Sequence, residues 1–226
     1  FPRKGKYLVS SPIRVHGSVN RIVGLSNTVD VTDPGGRFKD GDALFTFENL
    51  SSDTVVVENF FLLGAWHRPG YVQLFENRTD STVVLRNFCH FRGITKKPQP
   101  GGRWFIEDVS PGRSSTLRVG KGEKVWARQF NPESPRPTMI EVDGGQLWLL
   151  GLKTEGRARH LVVRNGAQVE ILGGVSYQSW GNQPLDPPMF SIEDSAVSVT
   201  LGFYHHDTPF STIVRETQGD EIRIIK

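Results

Sequence analysis

Apolar residues occur along this chain in short runs that turn-forming residues interrupt. Residues 54–57 and 161–163 are typical, because Thr, Val and Leu stand together there and Gly, Asn, Asp or Ser lie nearby. Such runs are typical of β-strands between tight turns. No long segment has apolar residues at helical spacing, and 24 Gly and 14 Pro interrupt the chain too often for helices. The pattern therefore predicts an all-β protein.

The chain also repeats itself. Residues 47–60 return as residues 75–88, 28 positions later, and residues 144–151 return as residues 166–173, 22 positions later. A third copy of the second segment closes 29 positions further on, at Leu201 and Gly202. Self-similarity at such periods is typical of a solenoid. Because ankyrin, tetratricopeptide and leucine-rich repeats need a helix or a fixed leucine frame, repeats built only from strands predict a parallel β-helix.

Stacked repeats place equivalent residues above one another. Recurring asparagines could form amide ladders by hydrogen-bonding to the copy above and below, although asparagine also suits turns. The recurring pairs are Asn49 with Asn77 and Asn59 with Asn87. The pairs predicted to point inward are Thr54 with Thr82 and Val56 with Val84.

Four segments vary in length between repeats and are predicted to bulge as loops. They are residues 65–71, 94–103, 131–137 and 177–188. Binding residues concentrate on loops that a rigid scaffold carries. A site is therefore expected at these segments.

Composition narrows the domain organisation and the partners. A length of 226 residues without a low-complexity linker predicts one domain over residues 1–226, and a start at Phe1 without Met suggests excision from a larger multidomain protein. A net charge of +3 without any Lys/Arg-rich run predicts no nucleic-acid partner. No run is apolar enough for a membrane span, so no membrane partner is expected.

Several segments resemble a known superfamily. Residues 5–13 (GKYLVSSPI) and 17–24 (GSVNRIVG) look like the first coils of β-helix proteins of the pectate lyase and polygalacturonase type. Residues 126–133 (WARQFNPE) and 150–155 (LGLKTE) are similar to segments of relatives in that pectate lyase-like superfamily. The resemblance implies a right-handed single-stranded parallel β-helix and a carbohydrate context.

Within that superfamily, a short free-standing β-helix most resembles the β-helical carbohydrate-binding modules of family 89, which are attached to bacterial xylanases. This resemblance implies a secreted, noncatalytic module that recognises plant cell-wall polysaccharide, above all xylan. It also implies an attached glycoside hydrolase domain, which the module targets to the polysaccharide.

Catalysis on the same scaffold is the alternative. A glycoside hydrolase needs two carboxylates across the scissile bond, one of them with a raised pKa, and this chain lacks the paired aspartates of polygalacturonase-like enzymes. A uronate lyase needs a base beside a neutralised carboxylate. For an enzyme of either type, the candidate residues are Glu155, Lys153 and Asp143.

No metal or cofactor is predicted. His205, His206 and Asp207 are adjacent in the sequence, but neighbouring side chains of a strand point to opposite faces. The two histidines would therefore not share one ion. The sequence also shows no nucleophile elbow and no phosphate-binding turn.

Sugar binding needs flat aromatic rings against the apolar faces of a pyranose and a few polar groups at its hydroxyls. Aromatic residues beside Gly, Pro and Asn are the candidate platforms, and nearby carboxylates and amides are the candidate hydroxyl partners. The predicted platforms are Trp66, Tyr71, Trp104, Tyr177 and Trp180. The predicted hydroxyl partners are Glu155, Asn182 and Gln183. Trp126 and Trp148 lie within strand patterns and are predicted to pack, although the alignment of Trp148 with Glu170 suggests an outward position.

We therefore expect a noncatalytic module that binds polysaccharide, with a polysaccharide lyase or glycoside hydrolase as the alternative. A structural or adhesive β-helix of a cell-surface or phage protein is a third interpretation. Phage spikes usually carry apolar stripes that form trimers, and no such stripe is evident in this sequence.

Overall fold

The computed structural model describes Pro2 and residues 5–32, 37–39, 41–64, 72–91, 93–112, 115–133, 138–156, 158–178, 187–205 and 210–226. These residues form 21 β-strands and no helix, which confirms the all-β prediction. Within these ranges there is accordingly no helix of the length and apolarity that crossing a membrane requires.

The strands follow one another at short intervals along the whole chain. The first ten are β1 (Lys6–Val9), β2 (Ile13–Gly17), β3 (Arg21–Val23), β4 (Thr28–Val31), β5 (Ala43–Leu50), β6 (Thr54–Glu58), β7 (Leu62–Gly64), β8 (Val72–Asn77), β9 (Thr82–Phe91) and β10 (Gly93–Lys96). The next eleven are β11 (Arg103–Pro111), β12 (Ser115–Val119), β13 (Lys124–Phe130), β14 (Ile140–Asp143), β15 (Gln146–Glu155), β16 (Leu161–Arg164), β17 (Gln168–Gln178), β18 (Phe190–Glu193), β19 (Ala196–His205), β20 (Val214–Gln218) and β21 (Glu221–Ile225).

The strands form two long sheets. The first has 11 strands in the order β1-β4-β7-β9-β11-β13-β15-β17-β19, with β3 and β6 joining it beside β9. The second has 10 strands in the order β2-β5-β8-β10-β12-β14-β16-β18-β20-β21. Strands one repeat apart pair in parallel, and β21 turns back to run antiparallel to β20. Long parallel sheets of this kind are compatible with the predicted solenoid.

The register of the strands confirms the main repeats. In β15 and β17, residues 146–150 face residues 168–172, at the predicted spacing of 22. In β6 and β9, residues 54–58 face residues 82–86, at the predicted spacing of 28. The repeat seen in the sequence is therefore the distance from one strand to its neighbour in the sheet.

Two parts of the predicted alignment are wrong. Phe75 faces Phe45 rather than Phe47, because the connection from Phe75 to the next strand of the first sheet is shorter than the connection from Phe45. Leu172 faces Thr200, at a spacing of 28 rather than 29, and a bulge follows immediately. The turns between strands differ in length. The strand on one side of such a turn is therefore shifted from its predicted partner, whereas the strand on the other side pairs as predicted.

The inward side chains of both sheets form one apolar core that runs from Val15 to Phe210. In β6, Val55 and Val57 are fully buried, whereas Thr54 is exposed and Val56 is only half-buried. The predicted inward column, which starts at Thr54, is therefore wrong by one residue. Because side chains alternate along a strand, this shift inverts every position of the strand.

A one-residue corner bends the long strands of the first sheet. The corner residues have a φ between 51° and 79°: Asn59, Asn87, Asp108, Gln129, Gly151 and Gly173. The residues on both sides of the corner pair with the next strand, and the corner residue itself is skipped. This left-handed conformation favours Gly and Asn, so the corner explains why turn residues recur inside the strands.

One of the two predicted amide ladders lies at this corner. Asn87 Nδ2 donates a hydrogen bond to Asn59 Oδ1 at 2.7 Å, which confirms the ladder between these two residues. Asn77 is buried and donates instead to the carbonyl of Ser81 at 2.8 Å. The ladder predicted between Asn49 and Asn77 is wrong, because Asn77 pairs with Phe47.

Candidate functional site

Three aromatic side chains stack on the outer face of the first sheet. Phe105 of β11, Trp126 of β13 and Trp148 of β15 occupy the same register position on neighbouring strands. Their ring centroids are 4.8 and 5.2 Å apart, and adjacent ring planes differ by 13° and 9°. Because carbon atoms in contact are about 3.5 Å apart, the rings are offset and part of each face stays uncovered. We call these three residues the aromatic ladder.

A groove of about 420 Å³ runs beside the aromatic ladder and crosses five strands. Its second wall is formed by the side chains two positions further along each strand: Glu107, Arg128, Leu150 and Leu172. Val84 and Glu170 occupy the ladder position at the two ends. Phe105 is 43% exposed and Leu150 is 53% exposed. A continuous exposed apolar surface of this kind indicates an interaction site.

A column of polar side chains flanks the other side of the aromatic ladder. It consists of Arg103, Lys124, Gln146 and Gln168, each two residues before the ladder position. Gln146 Nε2 donates to Gln168 Oε1 at 2.9 Å. In the groove, Arg128 forms an ion pair with Glu107. The aromatic surface therefore has hydrogen-bonding groups on both sides.

Trp104 does not form an exposed platform, and that prediction is wrong. Its side chain is fully buried because it lies in the inward column between Val83 and Val125. The ammonium of Lys96 stands 5.0 Å from the centre of its ring. The exposed ring belongs to the next residue, Phe105.

The aromatic ladder is not among the predicted sites, because Trp126 and Trp148 lie within strand patterns that predict packing. A signal for it exists in the sequence. Trp126 and Trp148 are 22 positions apart, which is the period of the repeat, and Phe105 lies 21 positions before Trp126. Aromatic residues at the repeat period stack on one face, and a charged residue at the next equivalent position, Glu170, indicates that this face is outward.

Five of the predicted binding residues lie outside the described residues. They are Trp66, Tyr71, Trp180, Asn182 and Gln183. Their roles stay predictions.

Two predicted residues, Glu155 and Tyr177, meet at the ends of β15 and β17. Lys153 Nζ donates to the carboxylates of Glu133 and Glu155, and the Tyr177 hydroxyl donates to Glu155. The Lys153 ammonium stands 5.3 Å from the centre of the Tyr177 ring. Glu133 forms an isolated parallel β-bridge with Glu155, so the two residues lie side by side. We call these four residues the lysine–carboxylate cluster.

The hydrogen bonds of this cluster stabilise its charged groups. Burial opposes the charge of Lys153, but hydrogen bonds to Glu133 and Glu155 raise its pKa above the ordinary value. Hydrogen bonds from Lys153 and Tyr177 lower the pKa of Glu155, and the same bond to Glu155 raises the pKa of Tyr177. At neutral pH, Lys153 is charged, Glu155 is ionised and Tyr177 is neutral. These three groups offer neither a neutral lysine base nor a protonated carboxyl acid.

Asp143, the third candidate for catalysis, lies on β14 in the second sheet. It accepts a hydrogen bond from Asn165 Nδ2 at 2.6 Å and from Arg164 Nε at 2.9 Å. Both bonds lower its pKa, the bond from Asn165 more strongly. The structure thus brings Lys153 and Glu155 together and leaves Asp143 in another sheet.

Among the residues that the structure describes, no group of three or more His, Cys, Asp or Glu side chains is arranged to hold a metal ion. Comparison with protein-family models, with curated proteins and with solved structures finds no match to this chain.

Proposed function

We propose that the chain is a right-handed single-stranded parallel β-helix that binds an extended β-linked polysaccharide of the plant cell wall, such as xylan, without cleaving it. The aromatic ladder and its groove form the binding site. In a larger secreted protein, such a module holds an attached glycoside hydrolase on its substrate. The observation that carries the proposal is the ladder of three rings, of which Phe105 is exposed and Trp126 and Trp148 are half-buried, beside a column of polar side chains.

The spacing of the ladder suits a polymer. Neighbouring strands are about 4.8 Å apart, which is close to the length of one sugar in an extended β-linked chain. Equivalent side chains on successive strands can therefore contact successive sugars. The groove crosses five strands, from Val84 on β9 to Glu170 on β17, so several sugars can be in contact at once.

The chemistry of the groove also suits a sugar. A pyranose has apolar C–H faces, which the uncovered parts of offset aromatic rings can desolvate. Its hydroxyls need donors and acceptors at the edge of that apolar surface. Gln146 and Gln168 provide amides there, and the paired charges of Arg128 and Glu107 stand on the opposite side.

Binding without cleavage is supported by the ionisation of the lysine–carboxylate cluster. A lyase needs a neutral base, and a retaining hydrolase needs one protonated carboxyl group beside an ionised one. The pKa of Lys153 is raised and the pKa of Glu155 is lowered, which is unfavourable for both roles. The close contact of two carboxylates with one lysine is the observation that keeps an enzyme as the second candidate function.

Affinity electrophoresis in gels that contain soluble xylan, mixed-linkage glucan or galactomannan tests the proposal. We expect retardation of the wild-type protein by at least one of these polymers. Trp126→Ala should weaken binding about tenfold or more, as is typical for a central aromatic contact. The matched control is Phe61→Ala, because Phe61 is 69% exposed and lies outside the groove; it should bind like the wild type.

The same incubations distinguish the enzyme from the binding module. Reducing ends and unsaturated uronates are measured after prolonged incubation with each polymer. Retardation without products supports the binding module. Products that disappear in Glu155→Gln would establish the enzyme, and the absence of retardation by every polymer would overturn the proposed site.

A further inference from the structure

Two cations stand side by side next to the aromatic ladder, without a counterion among the residues that the structure describes. Arg103 and Lys124 face each other in register on β11 and β13. Both side chains are exposed, and no carboxylate of the described residues lies within ion-pair distance of either. Like charges directly opposite each other on neighbouring strands destabilise a sheet. A like-charged pair beside a binding groove therefore calls for an explanation other than stability.

Many surface cations elsewhere on the described strands form ion pairs, although the exposed Lys121 and Arg215 have none among the described residues. Glu58 lies between two arginines of adjacent strands, and Glu107, Glu141 and Asp143 each pair with an arginine of a neighbouring strand. The pairs are Arg21–Glu58, Arg86–Glu58, Arg128–Glu107, Arg118–Glu141 and Arg164–Asp143. In contrast, Asp53 and Asp80 share a surface hollow with Arg103 but form no ion pair with it. Among the described residues that flank the groove, the cations without an ion pair therefore lie on one side of the aromatic ladder.

The charge changes along the groove. Beside Phe105 and Trp126 the flanking residues are the two free cations, and beside Trp148 the flanking residue is the neutral Gln146. On the next strand, β17, the ladder position beside Trp148 is occupied by Glu170, which carries a carboxylate. A ligand with a negative charge at every unit would meet repulsion at Glu170, whereas a fully neutral ligand would leave Arg103 and Lys124 unused.

We infer that the groove binds a mainly neutral glycan that carries an acidic substituent, and that Arg103 and Lys124 receive its carboxylate. This inference rests on the proposed function, because it identifies the substrate class of the same groove. The aromatic rings contact the neutral backbone, and the two cations distinguish chains with uronic acid side groups from chains without them. A guanidinium beside an ammonium can hold both oxygens of one carboxylate.

The test compares glucuronoxylan with the same polymer after chemical reduction of its carboxyl groups, with dissociation constants from isothermal titration. We expect the reduced polymer to bind about two- to fivefold more weakly, as an exposed ion pair is worth up to about a fivefold change. The difference should shrink in high salt, because exposed charges are screened. In Arg103→Gln/Lys124→Gln the two polymers should bind equally.

The control variant is Arg215→Gln, since Arg215 is an exposed arginine on β20 of the second sheet; it should keep the preference for the acidic polymer. Equal affinity of the wild type for both polymers would overturn this inference and leave the proposed function standing. Binding of neither polymer would overturn both. Tighter binding of polygalacturonate or of an oligo-dT strand than of glucuronoxylan would overturn the inference in favour of a polyanion.

Discussion

At the scale of single residues, the site that should tolerate substitution least is a buried ion pair. Lys96 and Glu123 are both fully buried, and Lys96 Nζ lies 2.7 Å from each carboxylate oxygen. The carboxylate also accepts hydrogen bonds from the backbone N–H groups of Gln99 and Gly120. The ring of Trp104 covers the ammonium. Each charge is compensated by the other, so removal of one leaves the other buried without compensation.

We predict that Lys96→Met lowers the free energy of unfolding by about 3–5 kcal/mol, because it leaves Glu123 as an unpaired buried charge. Urea denaturation followed by fluorescence measures the loss. The exposed neighbour Lys124 provides the control, since Lys124→Met should change the stability by less than about 0.5 kcal/mol. The double variant Lys96→Met/Glu123→Gln should recover part of the loss, because the neutral amide removes the unpaired charge and its oxygen still accepts one of the two backbone hydrogen bonds. A double variant as unstable as Lys96→Met would show that packing around the lysine stem, and not the lost charge, is responsible.

At the scale of the strands, the repeat period was predictable from the sequence, but which side chains point into the core was not. Residues 146–150 and 168–172 reveal their pairing in the sequence, because similar turns bound them at both ends. In a run such as Thr54–Glu58, each residue is apolar or β-branched until the last, so alternation gives no sign of which parity points inward. The same one-residue ambiguity explains why Trp104, which was predicted to be exposed, is buried and its neighbour Phe105 is exposed. Only the comparison of several repeats resolves it, as when the exposed Glu170 at the ladder position marks that column as outward.

The corner of β17 contains two glycines with different reasons to be glycine. At Gly173, φ is +74° and a Cβ would meet no atom within 4 Å. At Gly174, φ is +141° and a Cβ would overlap the carbonyl oxygen of Leu152 on the neighbouring strand. We predict that Gly173→Ala costs about 1 kcal/mol, which is the penalty of the left-handed conformation, whereas Gly174→Ala costs about 3 kcal/mol or more because the strands must separate. Equal losses in chemical denaturation would contradict this assignment.

One of the corner residues, Gln129, should be replaceable with a gain in stability. Gln129 has a φ of 51° without the amide ladder that Asn59 and Asn87 form. A left-handed conformation costs a residue with a Cβ about 1–2 kcal/mol, and glycine loses about 0.5–1 kcal/mol of that through its larger unfolded-state entropy. We therefore predict that Gln129→Gly raises the free energy of unfolding by about 0.5–1 kcal/mol. The control Gln146→Gly lies in a regular strand and should lower it by a similar amount; a loss in both variants would refute the argument.

At the scale of the whole molecule, one continuous core makes the fold depend on groups buried far apart. His90 and His160 are both buried, at 0% and 1% exposure. The His160 ring donates from Nδ1 to the carbonyl of Ala158 at 2.9 Å, and its Nε2 accepts from the Ser176 hydroxyl at 2.6 Å. Burial lowers the pKa of His90 to about 3 and the pKa of His160 to about 4, from 6.5. Neither ring has a carboxylate among its contacts in the described residues.

The sign of the pH dependence follows from these values. Above pH 6.5 both histidines are neutral in the folded and the unfolded chain, so the full stability is present. Between pH 6.5 and the folded pKa values, only the unfolded chain takes up protons, and each histidine costs about 1.4 kcal/mol per pH unit. We predict that the free energy of unfolding falls by about 4 kcal/mol between pH 7 and pH 5, about 2 from each histidine. Urea denaturation at a series of pH values measures this.

Two variants separate the titration of His160 from its packing. His160→Gln removes the proton uptake, so the loss between pH 7 and pH 5 should fall to about half of the wild-type loss, whatever the stability at pH 7. Ser176→Ala removes the hydroxyl that His160 Nε2 accepts from and should lower stability by about 1–2 kcal/mol at both pH values. Because the neutral ring still cannot be protonated without leaving the core, the slope with pH should remain. A His160→Gln variant that keeps the full wild-type slope would show that other groups, at the surface or elsewhere in the core, control the acid sensitivity of the fold.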